Sequence, residues 1–352
     1  MSAETLRAAV YHGARDVRVE QLPRPRPGPG EVLLRVLRSG MCGTDATEWA
    51  AGPRTFPVAR PHPVTGHQGP MVLGHEFVGA VVEPGAGAVT PLGTVAASGA
   101  GVSCGRCDRC RQRRTNLCRS YYPLGLNTAG GMAEYVAVPE STLVPVPAGL
   151  AVDAAGLAQP LAVGLHAARR SGAADGDRVV LIGAGAIGTF VLAALRHLAD
   201  VDLTVVDFPG SRLERAVRLG ATRVVPAGSE VAAVVAEPGA DVVIEASGAP
   251  GQLDTAIGLA RPGGTVLQVG IPAARQEIDV HSLVMREIGI RTTLAHVCGE
   301  DLAPALDLLA GTSLAAELLE GVHPLDAVAE QLDRLASGRL EGKVLVDPSL
   351  EG

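Results

Sequence analysis

The sequence predicts an α/β protein in which a β-rich N-terminal half runs into a doubly wound parallel sheet. Two observations carry that prediction. From Arg178 onward, apolar runs near 178–182, 202–206, 222–225, 241–245, 264–269 and 288–294 alternate with helical stretches, the pattern of a parallel sheet covered on both faces. Before that point the elements are short and strand-like. Leu6–Val10, Val17–Gln21 and Glu31–Leu37 alternate with turn residues, and Pro23–Gly30 is too proline-rich for regular structure. Ala133–Pro139 and Thr142–Val146 read as further strands, and Ala151–Arg170 as an alanine-rich helical stretch. After about residue 295 helices are expected at Glu300–Ala310 and Pro324–Ser337, then a last strand at Lys343–Val346.

The most informative stretch is Val179-Val180-Leu181-Ile182-Gly183-Ala184-Gly185-Ala186-Ile187-Gly188. It reads as a buried strand, a glycine-rich turn and a helix start. Gly183 permits the tight turn, Gly185 lets a pyrophosphate approach the backbone, and Gly188 lets the helix pack closely on the sheet. The N–H groups opening the helix offer an anion site. Asp207 follows 24 residues after Gly183, at the end of the next strand, where a carboxylate meets a ribose hydroxyl. The assembly predicts dinucleotide binding. Ser211-x-x-Glu214 fits a capping box opening the following helix.

At 352 residues the chain is long enough for two domains, and 47% apolar with 19% charged residues is an ordinary globular balance. A net charge of −7 argues against nucleic-acid or anionic-membrane partners. There is no membrane-length apolar run and no signal-peptide pattern at Met1-Ser2-Ala3-Glu4, so a cytoplasmic location is expected. Lys343 is the only lysine, which makes Schiff-base chemistry an unattractive expectation.

Four of the six cysteines, Cys104, Cys107, Cys110 and Cys118, fall within fifteen residues. In a chain expected to stay in the cytoplasm, such spacing points to a metal rather than disulfides. Tight C-x-x-C steps bring thiolates onto one ion and the fourth closes a tetrahedron, leaving no open position, so this zinc is expected to be structural. Arg106, Arg109, Arg111, Arg113 and Arg114 help offset the thiolate charge. An iron–sulfur cluster and a basic nucleic-acid module are the alternatives, the second disfavoured by the chain's acidity. Separately, Cys42 and His75-Glu76 arrive in glycine-flanked clusters about thirty residues apart and combine the side-chain types that bind zinc, so a catalytic metal site is expected there. The intervening Gly52–Pro70, with His62 and His67, reads either as a loop shaping substrate access or as a plain surface insertion. Trp49 reads equally as a pocket wall or a core anchor, and His296 and Cys298 more as packing than as site residues.

These landmarks, in this order, resemble the zinc-dependent medium-chain alcohol dehydrogenases over essentially the whole chain. Cys42-Gly-Thr-Asp45, Pro61-His-Pro-Val-Thr-Gly66 and Gly74-His-Glu76 look most like the butanediol and polyol, sorbitol-type, members. The resemblance implies a GroES-like catalytic domain over 1–157, with a structural zinc lobe at about 100–120. It implies a Rossmann NAD-binding domain over 158–295 and a C-terminal return to the catalytic domain over 296–352, with the cofactor in the cleft between the two domains. It further implies that Cys42, His75 and Glu76 are catalytic zinc ligands, Glu76 being able to exchange with water. Thr44 would hydrogen-bond the substrate oxygen, and Asp45 would orient the ligating histidine. Gly183, Gly185, Ala186, Ile187, Gly188, Asp207 and Arg212 match cofactor positions, and Val269-Gly270-Ile271 the backbone near the nicotinamide.

Two positions depart from the common pattern. Thr47 stands where many members carry a histidine that relays protons, so the relay is expected to use water, Glu48 or a ribose hydroxyl. Gln159 stands where a glutamate is common, as in some sugar dehydrogenases, and ligates zinc only weakly. The expected activity is reversible hydride transfer between a secondary alcohol, a vicinal diol or polyol, and NAD, with one catalytic and one structural zinc. Asp207 favours NAD, while the nearby Arg212 is the feature that could accommodate the 2′-phosphate of NADP. An aldose, cyclitol or biosynthetic-intermediate dehydrogenase is the alternative enzyme, and a non-catalytic NAD-binding relative the alternative outside catalysis. A small-molecule substrate and a homodimer or homotetramer are expected.

Overall fold

A computed structural model describes residues 5–229 and 238–351. The helix expected between the strands at 222–225 and 241–245 falls largely on 230–237, outside the described residues. Two compact units divide the chain: one is formed by Met1–Ala162 with Val297–Gly352, the other by Val163–His296.

The first unit is built on a sheet whose strands run in the order Leu143–Pro145, Val95–Ser98, Glu76–Pro84, Glu31–Gly40, Lys343–Val346, Leu319–His323. Tyr135–Pro139 also pairs with Glu31–Gly40, and a smaller sheet joins Asp16–Pro23, Thr5–Gly13 and Met71–Val72. The C-terminal strand enters this sheet because Lys343-Val-Leu-Val is buried at every position. It sets Leu345 opposite Gly40, and the same Gly40 pairs on its other side with Glu76. Tyr11, Met41, Trp49, Phe56, Leu325 and Val346 belong to one apolar core, in which Tyr11 and Phe56 meet edge to face at 4.9 Å. Trp49, 8% exposed, is thus a core anchor.

The second unit is a six-stranded, all-parallel sheet in the order Arg223–Pro226, Asp202–Asp207, Arg178–Ile182, Ala240–Glu245, Ala260–Gln268, Gly289–Thr292. The order reverses between Arg178–Ile182 and Ala240–Glu245, which makes the carboxyl ends of those two strands the switch point where such sheets bind ligands. The strand expected at 264–269 starts four residues early, at Ala260. A register shift lets Ala240 pair with Ala260 before Val242 pairs with Thr265, so Arg261–Gly264 is taken up as an irregularity within the strand.

The capping box expected at Ser211 is absent. Gly210, with φ 133°, occupies the N-cap and no side chain caps it, so Ser211 is the first helical residue of Ser211–Arg218. A backbone angle open only to glycine makes that turn and moves the serine one place into the helix. The long helix expected over Ala151–Arg170 is broken into Val152–Ala155 and Ala158–Ser171.

Asp241 ties three strands of the second unit at their amino ends. Its carboxylate accepts the Arg178 N–H at 2.8 Å and the Arg261 guanidinium. Burial pushes this carboxyl up, but the Arg178 N–H and the Arg261 charge outweigh it and hold its pKa below the ordinary 3.8. A depressed carboxyl stabilises the fold above its unfolded pKa, and that contribution is lost as pH falls through the folded value. Asp241→Asn is therefore expected to lower stability at neutral pH, with the gap to wild type closing in acid below the ordinary carboxyl range. Urea midpoints measured from pH 7 downward check this.

Candidate active site and metal centres

Cys42 lies where the strand Glu31–Gly40 gives way to the helix Gly43–Ala51, with the buried Met41 fixing the exit. The Asp45 carboxylate accepts the Cys42 N–H at 3.0 Å, so an acid in the first helical turn closes the corner. The second segment depends on Gly74. Its φ is +98°, and a side chain there would strike Ser39 Oγ at 2.5 Å and Met132 N at 2.6 Å. Only glycine makes this corner, which delivers His75 and starts the strand Glu76–Pro84. Glu76 reaches across Gly40, where any Cβ would collide with its carboxylate. The result brings Cys42, His75 and Glu76 together, with their ligand atoms within 4.8 Å of one another.

These three residues fit a metal ion. Donor atoms on one zinc stand about 3.3–3.8 Å apart, given bonds of roughly 2.0–2.3 Å in a tetrahedron. His75 Nδ1 faces Asp45 Oδ1 at 3.6 Å, and neither atom makes a hydrogen bond to another group. That places an acid behind one ring nitrogen and leaves the other for an ion. Burial pushes His75 down, but the negative charge of Asp45 and Cys42 more than reverses it, and the ring sits well above its ordinary pKa. Charge that would hold a proton on the ring suits a cation equally well. The Thr44 hydroxyl lies 3.9 Å from Cys42 Sγ, beside the cluster.

Cys104, Cys107, Cys110 and Cys118 form a second cluster of the same span, on a turn that includes the short helix Asp108–Arg111. Cys107 and Cys110 sulfurs stand 3.5 Å apart, far beyond a disulfide bond, and all four cysteines are free. Backbone N–H groups point at the sulfurs, those of Cys104 and Ser120 reaching Cys118 Sγ at 3.3 Å. The Arg119 and Cys110 N–H groups pull Cys107 down to about 6, whereas burial pushes Cys118 up to about 11. Four thiols converged without bonding to one another suit one tetrahedral ion.

In the second unit, Gly183 turns with φ +97°, and a Cβ on Gly188 would collide with the Gly183 carbonyl, so both glycines are fixed by close packing. Gly185 differs, because nothing lies within 4 Å of where its Cβ would stand. It is the N-cap of the helix Ala186–Leu198 and no side chain caps it, so the N–H groups of Ala186, Ile187 and Gly188 open that helix beside free space. Gly183, Gly185, Asp207, Arg212 and Ser247 line a cavity of about 340 Å³. Asp207 is clamped there, accepting the Ala184 N–H at 2.5 Å and the Phe208 N–H at 2.6 Å, with Arg212 Nη1 3.9 Å away. Val269 and Gly270 N–H groups both donate to the Glu245 carbonyl, and a Cβ on Gly270 would collide with the Gly248 backbone. Ile271 next to them is 84% exposed.

Several candidates play other parts. The Glu48 carboxylate is 1% exposed and accepts the N–H groups of Arg54, at 2.8 Å, and Thr55, at 2.5 Å, so it pins the 52–70 loop and is not placed to relay protons. Thr47 donates to the Gly43 carbonyl at 2.9 Å. Gln159 is the second residue of Ala158–Ser171 and half-buried. Cys298 donates to the Thr142 carbonyl at 3.4 Å, and burial pushes its thiol up to about 11, which is packing rather than chemistry. The contact with no motif behind it is Lys343. Its ammonium, buried in the C-terminal strand, bonds the Glu76 carboxylate and the Met41 carbonyl. The one available signal was a sole lysine heading an otherwise apolar strand.

Residues 28–148 match the alcohol dehydrogenase GroES-like domain, and residues 186–311 match the zinc-binding dehydrogenase family. Over 362 residues the chain is 33% identical to (R,R)-butanediol dehydrogenase of Bacillus subtilis, covering 98% of this chain and 100% of that protein. The chain belongs to the zinc-dependent medium-chain alcohol dehydrogenase superfamily. Sorbitol dehydrogenase of the same organism is 30% identical over 295 residues, covering 82% of this chain and 81% of that one. The crystal structure of 2R,3R-butanediol dehydrogenase from Bacillus subtilis has a TM-score of 0.89 at 31% identity, covering 98% of this chain and 100% of that one. This medium-chain dehydrogenase is therefore an enzyme with a GroES-like domain and a Rossmann sheet, and it uses zinc and a nicotinamide cofactor. Among its described residues no helix is long and apolar enough to cross a membrane.

The two glycine environments predict a split. Gly185→Ala adds a methyl group to open space at an ordinary backbone angle, so the melting temperature is expected to hold while nicotinamide-nucleotide affinity falls tenfold or more. Gly188→Ala drives a methyl group into the Gly183 carbonyl and is expected to lower both. Thermal melts and cofactor titration by calorimetry distinguish the two.

Proposed function

We propose that this enzyme transfers hydride reversibly between a vicinal diol or polyol and NAD, using a zinc held by Cys42, His75 and Glu76. The observation that supports the reading most is that convergence itself: thiol, imidazole and carboxylate from two glycine-cornered segments, with an acid behind the imidazole. When bound there, zinc supplies Lewis acidity to an alcohol oxygen, and the nicotinamide supplies the hydride acceptor.

The chain's own residues do the rest. Asp45 orients His75 and, through the Cys42 N–H, holds the cysteine in place. Thr44 places a hydroxyl 3.9 Å from Cys42 Sγ and takes the alcohol proton. Because Glu48 is committed to backbone N–H groups and Thr47 to the Gly43 carbonyl, the proton leaves Thr44 through water or a ribose hydroxyl. Ala186, Ile187 and Gly188 present their N–H groups to the pyrophosphate. Asp207, clamped with its charge at the cavity, favours the free ribose hydroxyls of NAD over a 2′-phosphate, while Arg212 offsets that charge. Val269, Gly270 and Ile271 present backbone toward the nicotinamide, with the exposed Ile271 as its apolar wall. Gln159, standing where a glutamate is common, ligates zinc only weakly and leaves the metal more positive. The four cysteines hold a second, structural zinc. In the second unit every residue of the edge strand Gly289–Thr292 is exposed, as are Val280, Val284 and Met285 shortly before it in the chain, and we assign this edge to a homodimer or homotetramer contact.

NADH formation across vicinal diols, polyols, cyclitols and aldoses tests the assignment. Oxidation of a diol or polyol is expected, abolished by chelation and restored by zinc, with metal analysis giving two zincs per chain. Turnover confined to aldoses or cyclitols would replace the substrate class, and turnover indifferent to complete metal removal would end the zinc assignment.

A further inference from the structure

We propose that Lys343 is a positioning residue for the catalytic metal: it retains one oxygen of Glu76 and so sets how readily that carboxylate gives up its ligand position to substrate. The inference rests on the assignment of zinc to Cys42, His75 and Glu76.

Lys343 is the only lysine among 352 residues, and its side chain is 5% exposed. A buried ammonium is unfavourable unless it is paired and hydrogen-bonded. Here it has two partners, and both belong to the segments that carry the ligands. The Met41 carbonyl immediately precedes Cys42, and the Glu76 carboxylate immediately follows His75. One cation therefore joins the two segments that must stay in register for the donor set to form. The main chain repeats the tie, since the Met41 N–H donates to the Val344 carbonyl at 3.1 Å.

The sheet makes this contact possible. Leu345 pairs with one side of Gly40 and Glu76 with the other, so Lys343 and Glu76 come from strands flanking Glu31–Gly40. Gly40 carries no side chain, and a Cβ there would collide with Glu76 Oε2, the oxygen bound by Lys343. With Oε2 retained, Oε1 is left for the ion. The ammonium competes with the ion for the same carboxylate and weakens Glu76 as a ligand relative to Cys42 and His75. A carboxylate so divided yields to an incoming alcohol oxygen, whereas one free of the lysine would bind the ion with its full charge and close the position.

The test uses the cobalt-exchanged full-length protein, comparing wild type, Lys343→Met, Lys343→Arg, Glu76→Gln and the Lys343→Met/Glu76→Gln double variant. Cys42→Ser identifies the bands of this site against those of the four-cysteine site. The readouts are visible absorption, the rate of metal release to a chelator, and kcat and KM for the best diol or polyol. Lys343→Met is expected to shift the cobalt bands, slow metal release severalfold and lower kcat about tenfold or more, with KM moving less. Lys343→Arg, which keeps the charge, is expected to lie closer to wild type. In the Glu76→Gln background, adding Lys343→Met is expected to change none of the three.

Folded Lys343→Met with wild-type bands and release rate would overturn the proposal. So would an effect of Lys343→Met that persists in the Glu76→Gln background. If the single methionine variant does not fold, Lys343→Gln, which keeps a hydrogen-bonding head without the charge, takes its place: shifted bands and slowed release support the proposal, and wild-type bands and release rate overturn it. A wild-type spectrum untouched by Cys42→Ser instead removes the metal assignment on which the proposal rests.

Discussion

Bringing a thiol, an imidazole and two carboxylates together away from water is unfavourable unless positive charge is supplied. Asp45, His75 and Glu76 are all buried, and with Cys42 they concentrate anionic groups at one point inside the first unit. Much of that unit's local architecture bears on this constraint. Gly74 makes a corner no other residue could make, Gly40 leaves room for a carboxylate to lie across a strand, and the C-terminal strand arrives carrying the chain's only lysine. The remaining requirement for cationic charge is what suits the cluster to a metal ion. The four-cysteine lobe meets the same requirement differently, with N–H groups aimed at its sulfurs.

The second unit works with partial charges. Its switch point presents uncapped helix N–H groups beside open space at Gly185, and it fixes Asp207 at the edge of the same cavity. Helix dipoles suit phosphates and a carboxylate suits a ribose, so the proposed nucleotide site is built largely from backbone fixed by close packing. On the proposed reading, each unit supplies one requirement of hydride transfer from an alcohol: the first a site for a Lewis-acidic metal, the second a seat for the acceptor.

The parallel sheet was legible in the sequence because strands buried on both faces read as continuous apolar runs, and 178–182 is found with the expected bounds, as is the buried strand 343–346 of the first unit. The cysteine ladder and the glycine turn were legible because their chemistry is local in sequence. What escaped was long-range or angular. Ser211 has the residue type of a cap, but the φ of Gly210, which no side-chain pattern encodes, moves it into the helix. Glu48 reads as a proton carrier beside the catalytic loop until its backbone partners at 54 and 55 are known. The link between Lys343 and Glu76 spans 267 residues and depends on which strands flank Gly40, a matter of sheet order rather than motif. His75 and Glu76 were found as adjacent letters, whereas their dependence on Gly74 appears only in the geometry.

In the proposed reaction the carbinol hydrogen of the substrate moves directly to the nicotinamide under the control of the Cys42, His75 and Glu76 site. The most direct measurement is a single turnover of the zinc-loaded enzyme with a diol deuterated at the reacting carbon, followed by mass spectrometry of the reduced cofactor. The account predicts one deuterium in the dihydronicotinamide from wild type and no reduced cofactor from Cys42→Ser that still binds the nucleotide. Reduced cofactor without deuterium, or an undiminished transfer in Cys42→Ser, would contradict it.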